Sequence, residues 1–465
     1  MSAPRPSHPT SEHGWNAGDW LVTLGLAAML GWTTLCLGGY RPETMVVTST
    51  AVFALAALAI VWFVIQSRRL RRVALLPAPF LLYALASTWW IAPAGWLAWR
   101  EWLLWLQMWL VFVLTLHFVR SRGQKRLLTA TLVALGIVGS VMALYQRFGD
   151  PHWLMLGRTQ ADQFIGRSSG MFGIPNSLAA LLELMIPAGV LLAASRTAAR
   201  SARVAGGAVA VLFLIALLLT GSRGGWISLT LALSLWPLLG RAPWWKKFVG
   251  AAAVLVLAAV TVVALYRGSD FARERIQPFL DGRFESSRPI VWHVGLQIWR
   301  GQPWLGTGAG SYNVLFDQHR PRGFLNEPQW THCDYLNTLS DYGVVGCALW
   351  FGAGAWLLGL GWRAVARSRS ESESKYAWKL GLWLGCVSFV LHLGVDFHTK
   401  IPALAFAFAI VVALLAREET SGVASSRASV AARLAIAAAM FGVLAMGFTH
   451  AWTLYRAEAQ RFGWR

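Results

Sequence analysis

Long apolar stretches separated by short polar connections repeat along the whole chain. Stretches of about 18 to 23 residues recur, which is enough for a helix to cross the hydrocarbon core of a bilayer. The pattern predicts thirteen spans. They cover residues 20–38, 46–66, 74–92, 101–119, 127–146, 174–194, 204–220, 223–239, 248–266, 342–362, 379–396, 401–416 and 434–454. The connection between 379–396 and 401–416 is very short, so this pair is either a tight hairpin or one broken element.

The overall composition favours the same fold class. Of the 465 residues, 56% are hydrophobic and only 13% are charged, whereas about a quarter of the residues of a soluble protein are charged. We therefore predict an all-α integral membrane protein whose residues 1–465 form a single polytopic domain. The net charge of +20 would suggest nucleic acid in a soluble protein. Here it is attributed to basic cytoplasmic loops that face membrane lipids, and no nucleic-acid partner is predicted.

The basic residues also predict the orientation, because cytoplasmic loops collect Lys and Arg. A cytoplasmic N-terminus places 23 of the 41 Lys and Arg residues on the inner side, and thirteen spans then place the C-terminus outside. The polar N-terminus lacks the layout of a cleaved signal. Two outer segments remain, 147–174 and the much longer loop 267–341.

The first part of interest in the long loop is a helix predicted over 286–301. Ser287 is the expected N-cap, Pro289 suits the first turn, and Gly301 ends the helix. Arg288 lies at the N-terminal end, where free N–H groups already favour an anion. It is therefore half of a phosphate site, or else the partner of a loop salt bridge to Asp281 or Glu285.

A second helix is predicted over 331–346, with Thr331 and Asp334 at capping-box spacing. This places His332 in the first turn, where the positive helix end favours a neutral imidazole that accepts protons. His332 is thus a candidate general base, and the alternative is a hydrogen-bonded loop histidine. Cys333 should point away from His332, so a Cys–His nucleophile pair is not expected.

The segment 301–313 between these helices is rich in glycine. Gly306, Gly308 and Gly310 permit a tight turn and a close approach of the backbone to a ligand. No strand precedes them, so the segment is not a dinucleotide fingerprint, and no cofactor is predicted.

Two more arginines should reach the same face of the membrane. Arg223 lies in TGSRGGW (220–226), flanked by glycine, and either meets a ligand or caps carbonyls at the end of the preceding span. Arg167 lies above Asn176, which is expected to cap the sixth span. Three arginines beside a histidine suit transfer from a lipid diphosphate, because guanidinium groups bind phosphate oxygens and a neutral base accepts the proton of the attacking hydroxyl.

The sequence indicates neither glycosidase nor metal chemistry. No Asp/Glu pair at glycosidase spacing is evident. His293, His319, His332 and His398 show no regular ligand spacing, so no metal site is predicted.

Several of these segments together resemble the O-antigen ligase/polymerase superfamily of bacterial membrane glycosyltransferases. The resemblance is carried by residues 220–233, 286–313 and 331–346, with further similarity at 169–179 and 394–409. It implies a GT-C-like helical fold and an inverting transfer from undecaprenyl diphosphate to a periplasmic acceptor hydroxyl at the inner membrane. The irregular spacing of the histidines favours a metal-independent mechanism for this transfer. The resemblance also implies His332 as the base and Arg223, Arg288 and, more loosely, Arg167 as diphosphate ligands.

The sequence departs from the family pattern at two points. Cys333 follows His332 where the family commonly has Asn, and a thirteenth span moves the C-terminus outside.

The acceptor is open. Lipid A-core, the acceptor of a ligase, is ranked first. A second lipid-linked repeat unit, the acceptor of a polymerase, follows, and then a Ser/Thr side chain of a protein. A transporter of a lipid-linked anion is the alternative from another class, although its ionisable groups would be expected near the midplane of the spans.

Overall fold

The chain folds into a bundle of helices. The computed structural model describes residues 16–66, 70–240, 242–281, 287–419 and 430–461. Within these ranges it contains helices and no β-strand, so the protein is an all-α integral membrane protein. The α-helices are α1 (Ala17–Leu35), α2 (Pro42–Ile65), α3 (Ala78–Trp90), α4 (Gly95–Phe118), α5 (Arg122–Phe148), α6 (Pro175–Ala194), α7 (Arg200–Leu219), α8 (Arg223–Leu238), α9 (Trp244–Gly268), α10 (Asp270–Leu280), α11 (Arg288–Gly301), α12 (Tyr312–Phe316), α13 (Asp334–Ser368), α14 (Glu373–His392), α15 (Pro402–Glu419) and α16 (Val430–Arg461).

Each predicted span coincides with one of these helices. Of the described helices, 9 are long and apolar enough to cross a membrane. The predicted spans 20–38, 223–239, 379–396 and 401–416 coincide with α1, α8, α14 and α15, which do not meet the same limits. The ambiguous pair forms two separate helices, α14 and α15, joined by residues 393–401.

Successive connections alternate between the two ends of the bundle. At one end, which we call the basic end (70–77, 119–121, 195–199 and 369–372), Arg71 N donates to His117 Nε2 at 3.0 Å and Arg196 N donates to Glu373 Oε1 at 2.9 Å. The other end, called the site end, is formed by 36–41, 91–94, 149–174, 220–222, 269–281, 287–333 and 393–401. The long connection between α9 and α13 therefore lies at the opposite end of the bundle from the basic connections.

Helices differ widely in how far they are enclosed. In their most apolar windows, α4 is 83% and α6 is 78% buried, whereas α9 is only 6% buried. Small residues permit the closest contacts, as expected for helices in a membrane. A Cβ added to Gly385 of α14 would lie 2.0 Å from the Leu184 carbonyl of α6.

The glycine-rich segment after α11 packs on a break within α13. Gly343 has φ 63°, outside the helical region, and Gly306 has φ 74°. A Cβ on Gly306 would lie 2.5 Å from the backbone of Gly343. Gly308 N donates to Asp341 O at 2.9 Å and Val344 N to Pro303 O at 2.9 Å, which satisfies groups that the break exposes. The close approach expected at these glycines is thus to the protein's own backbone.

Candidate active site

The site end brings together all four residues that the sequence nominated. Arg167 precedes α6, Arg223 begins α8, Arg288 begins α11, and His332 lies just before α13. They come from connections that are distant in the chain and meet because every second connection returns to the same end.

Arg167 fixes the segment before α6 to the end of α7. Its Nε donates to Thr220 O at 2.9 Å and its Nη2 to Asn176 Oδ1 at 2.8 Å. The expected cap of α6 by Asn176 is wrong, because Ile174 is the N-cap. Asn176 instead bridges Arg167 to Asp396. Burial, and then the neighbouring Arg275, lower the pKa of Arg167 to about 9.

Arg223 is the first residue of α8 and follows Ser222, whose Oγ accepts from Gly225 N at 3.3 Å. Its guanidinium is half-buried and has no hydrogen bond or ion pair with any described residue. It therefore does not cap the carbonyls of α7. Arg167 and a further arginine, Arg275, bond instead to the carbonyls of Thr220 and Gly221, which directly follow α7.

Arg275 is a fourth member of the cluster that sequence reasoning did not select. It lies on α10, its Nη2 donates to Gly221 O at 3.3 Å, and its buried Nε has no partner in the described part of the chain. A Cβ on Gly221 would lie 3.2 Å from Arg275 Nε and 3.4 Å from Arg167 Nε, so both side chains pack on this turn. Burial, followed by Arg223 and Arg288, lowers the pKa of Arg275. Its position in the loop predicted to lie outside, against the usual inside bias of arginine, was the available signal.

Arg288 lies where the helix prediction placed it, at the start of α11 after Ser287. Its Nη2 is 3.2 Å from Asp396 Oδ2, a carboxylate from the 393–401 connection that the sequence did not indicate. Of the loop partners considered above, Glu285 lies outside the described residues.

Asp396 is buried and holds the cluster together. It accepts from Asn176 Nδ2 and Arg288, and its Oδ1 accepts from Phe397 N at 2.9 Å. Burial alone would raise its pKa, but His398, Arg288 and His332 outweigh this and lower the pKa to about 2. Asp396 is therefore ionised at neutral pH, where it pairs with Arg288 and attracts the charge of Arg167.

The prediction that His332 lies in the first turn of α13 is wrong. The helix begins at Asp334 with Cys333 as N-cap, and His332 has φ 53° in the left-handed region. The predicted capping box is absent because Thr331 Oγ1 accepts from Cys333 N at 3.2 Å, whereas Asp334 Oδ2 accepts from Thr399 N at 2.9 Å. A histidine held in this sparsely populated conformation is consistent with a functional constraint.

The environment of the His332 ring favours its neutral form. The ring contacts Phe397 edge-on, with centroids 4.8 Å apart. Burial lowers the pKa of His332, Asp396 opposes this effect, and Arg288 adds to it. The predicted direction is thus correct, but burial and not the helix end is the main cause. Burial also raises the pKa of the Cys333 thiol, which disfavours a thiolate nucleophile.

A second buried group lies against the turn that carries Arg223. His392 Nδ1 is 2.8 Å from Glu183 Oε1, and its Nε2 is 3.5 Å from Ser222 Oγ. Among the described residues, Glu183, His392 and His398 are the one group whose ligand atoms are close enough to one another to bind a metal ion. Glu183 Oε2 already accepts from Ser228 and Ser388, at 2.8 and 3.1 Å. The sequence search missed Glu183 and His392 because it compared loop histidines only.

Fold and site together define a multi-pass helical membrane protein with a cluster of arginines at one end of its bundle. Residues 208–351 match the model of the O-antigen ligase family. This match supports the resemblance of the chain to an O-antigen ligase-like superfamily, and with it the general type of a membrane glycosyltransferase that uses a lipid-linked glycan and an acceptor. The matched residues include Arg223, Arg275, Arg288 and His332, but not Arg167 or Asp396. No curated protein matches the chain.

Proposed function

We propose that the protein transfers a glycan from undecaprenyl diphosphate to an acceptor hydroxyl at the periplasmic face of the bacterial inner membrane. The observation that carries the proposal is the cluster of four arginines, one of which pairs with a buried carboxylate, beside a histidine with a lowered pKa. Such an excess of cationic side chains suits a ligand with several negative charges.

The arginines act on the leaving group. Arg167, Arg223 and Arg288, joined by Arg275, bind the diphosphate oxygens and stabilise the charge that grows on them as the glycosidic C–O bond breaks. Arg223 is well suited to this role because its guanidinium has no partner among the described residues. The diphosphate leaves with the bonding electron pair.

His332 acts on the acceptor. The acceptor oxygen attacks the anomeric carbon as the bond to the diphosphate breaks, and neutral His332 accepts the hydroxyl proton. Because attack and departure occur on opposite faces in one step, the product has inverted configuration. This scheme needs no metal ion.

The orientation supports a lipid-linked donor. The positive-inside rule assigns the basic end to the cytoplasm and the site end to the periplasm, with a cytoplasmic N-terminus. Nucleotide sugars are on the opposite side of the membrane, so the activated bond must come from a lipid diphosphate. The arginines gather at one end of the bundle beside His332, which favours an enzyme over a transporter with ionisable groups along a path through the spans.

Lipid A-core is our first choice of acceptor, which makes the protein an O-antigen ligase; a polymerase is second. The test is His332→Ala in cells whose surface glycan is separated on a gel, with His319→Ala as the control. We expect loss of glycan transfer only in the first variant at equal protein level. Normal attachment and chain length in His332→Ala would contradict the proposal. In a null strain, loss of all attached glycan identifies a ligase, and single attached units identify a polymerase.

A further inference from the structure

A cavity opens at the site end, and none of the four clustered arginines lines it. It has a volume of about 480 Å³, within the range of about 300–1,000 Å³ typical of small-ligand sites. Its walls come from the residues before α2, the first turns of α4, α12, the stretch before His332, and the start of α13. Neither the proposed chemistry at the diphosphate nor the family match assigns a role to it.

Aromatic rings and fixed polar groups line this cavity in combination. Tyr40, Trp96 and Trp330 contribute aromatic rings, and Trp96 is 51% exposed. Asn313 also lines the cavity, and its buried Oδ1 has no hydrogen-bond partner within the described residues. Flat aromatic faces beside amide and carboxylate groups suit a ligand that has both C–H faces and many hydroxyl groups.

The charged groups that line the cavity are of both signs, because two arginines lie there with four carboxylates, namely Arg41, Arg100, Glu101, Asp317, Glu327 and Asp341. Glu101 Oε2 binds Lys400 Nζ at 2.5 Å, and its Oε1 accepts from Trp330 Nε1 at 3.3 Å. Asp317 and Glu327 both pair with Arg320. The cavity therefore lacks the concentrated positive charge of the arginine cluster and suits a hydroxyl-rich ligand better than a diphosphate.

Ring contacts connect the cavity to the candidate base. Trp330 and Phe397 have centroids 4.8 Å apart, and Phe397 and His332 also have centroids 4.8 Å apart. Trp330 precedes His332 by two residues, so a molecule stacked on Trp330 lies near the group that would accept its proton. This position is the one expected for the acceptor, since the donor diphosphate lies at the arginines.

We propose that this cavity, with Trp96, Trp330 and Asn313, binds a saccharide and holds the sugar part of the acceptor next to His332. The assignment to the acceptor rests on the proposed function, whereas saccharide binding itself is independent of transfer. Two sources share this chemistry, the oligosaccharide of the acceptor and the glycan of the donor.

The test measures binding by saturation-transfer NMR with the full chain in nanodiscs. The probes are the core oligosaccharide released from the host's lipopolysaccharide by mild acid and, separately, the lipid-free repeat-unit oligosaccharide. Trp96→Ala and Asn313→Leu alter the cavity. Trp90→Ala is the matched control, because Trp90 is 82% exposed at the nearby end of α3 and does not line the cavity.

We expect the core oligosaccharide to bind, with an affinity at least five-fold lower in both cavity variants and unchanged in Trp90→Ala. Binding of the repeat unit alone, lost in the same variants, would support a saccharide site and assign it to the donor. Binding of neither probe, or equal binding in all variants, would overturn the proposal. His332→Ala should bind normally without transfer; normal transfer in this variant would refute the proposed function and leave the binding result intact.

Discussion

Asp396 joins Arg288 to Asn176 across 108 and 220 residues of sequence, with Arg288 Nη2 lying 3.2 Å from Asp396 Oδ2. This carboxylate is the anion that fixes the position of a cation in the cluster. Its loss would have two opposing effects, because the cluster would gain net positive charge while Arg288 would lose its anchor.

Asp396→Asn should therefore lower kcat and leave the donor KM unchanged or lower. A hydrogen bond to a charged group contributes about 1.5–3 kcal/mol, so we expect kcat to fall roughly 10- to 100-fold. The measurement is transfer in proteoliposomes at varied donor concentration, with the exposed Asp270→Asn as the control. A raised KM at normal kcat would show that Asp396 does not position Arg288.

Arg275 and Arg273 provide a matched pair on α10. Arg275 packs on Gly221 within the cluster, whereas the exposed Arg273 pairs with Asp270 at 2.9 Å. We expect Arg275→Ala to raise the donor KM roughly 10- to 100-fold, from the loss of one charge-assisted contact, and Arg273→Ala to have little effect. Equal effects of the two substitutions would remove Arg275 from the diphosphate site.

The activity should persist under mildly acidic conditions. Burial lowers the pKa of His332 below its ordinary value of 6.5, so the neutral base remains the main form at and somewhat below that pH. The acidic limb of a kcat–pH profile should thus have an apparent pKa below about 6.5. Arg288→Met removes a lowering influence and frees Asp396, so it should move this limb to higher pH. A limb that does not move would argue against His332 as the titrating base.

Gly224 tests whether the buried pair of Glu183 and His392 positions Arg223. A Cβ at Gly224 would lie 2.8 Å from both His392 Nε2 and Val395 Cγ2, whereas one at Gly207 would meet only Ala193 at 3.5 Å. Overpacking of this kind typically costs about 1–3 kcal/mol. Gly224→Ala should displace the start of α8 and raise the donor KM about ten-fold, with Gly207→Ala unaffected. An unchanged donor KM in Gly224→Ala, at normal expression, would show that the buried pair does not position Arg223.

Gly343 and Gly354 lie on the same helix, α13. Substitution by alanine should change the stability of the protein in opposite directions at these two positions. A Cβ at Gly343 would lie 2.3 Å from Trp304 O at a positive φ of 63°, whereas Gly354 has open space around it. Gly343→Ala should lower the free energy of unfolding by about 2 kcal/mol or more, and Gly354→Ala should raise it by about 0.5–1 kcal/mol. Thermal unfolding in detergent gives the sign of each change. Two shifts in the same direction would contradict the role of the break.

The sequence by itself determined the features that depend on local pattern and on the bilayer. Span-length apolar runs predicted the helices, and the loop arginines and His332 could be nominated because charged side chains outside the basic connections are unusual. Local signals also placed Arg288 at the start of a helix. They failed at His332, because Asp334 bonds to Thr399 of another connection and α13 begins later than the capping pattern suggests.

Only the tertiary structure decided which partners these side chains have. Asp396 and the pair of Glu183 and His392 carry no local signal, and Arg275 has only its predicted outer position, because their roles depend on which connections return to the same end of the bundle. An apolar pattern indicates that a helix is shielded from water. It does not indicate whether lipid or protein surrounds the helix. Close packing, such as that of Gly385 on Leu184, determines which helices are neighbours. The arrangement of the helices in turn places the arginines and Asp396 in one cluster.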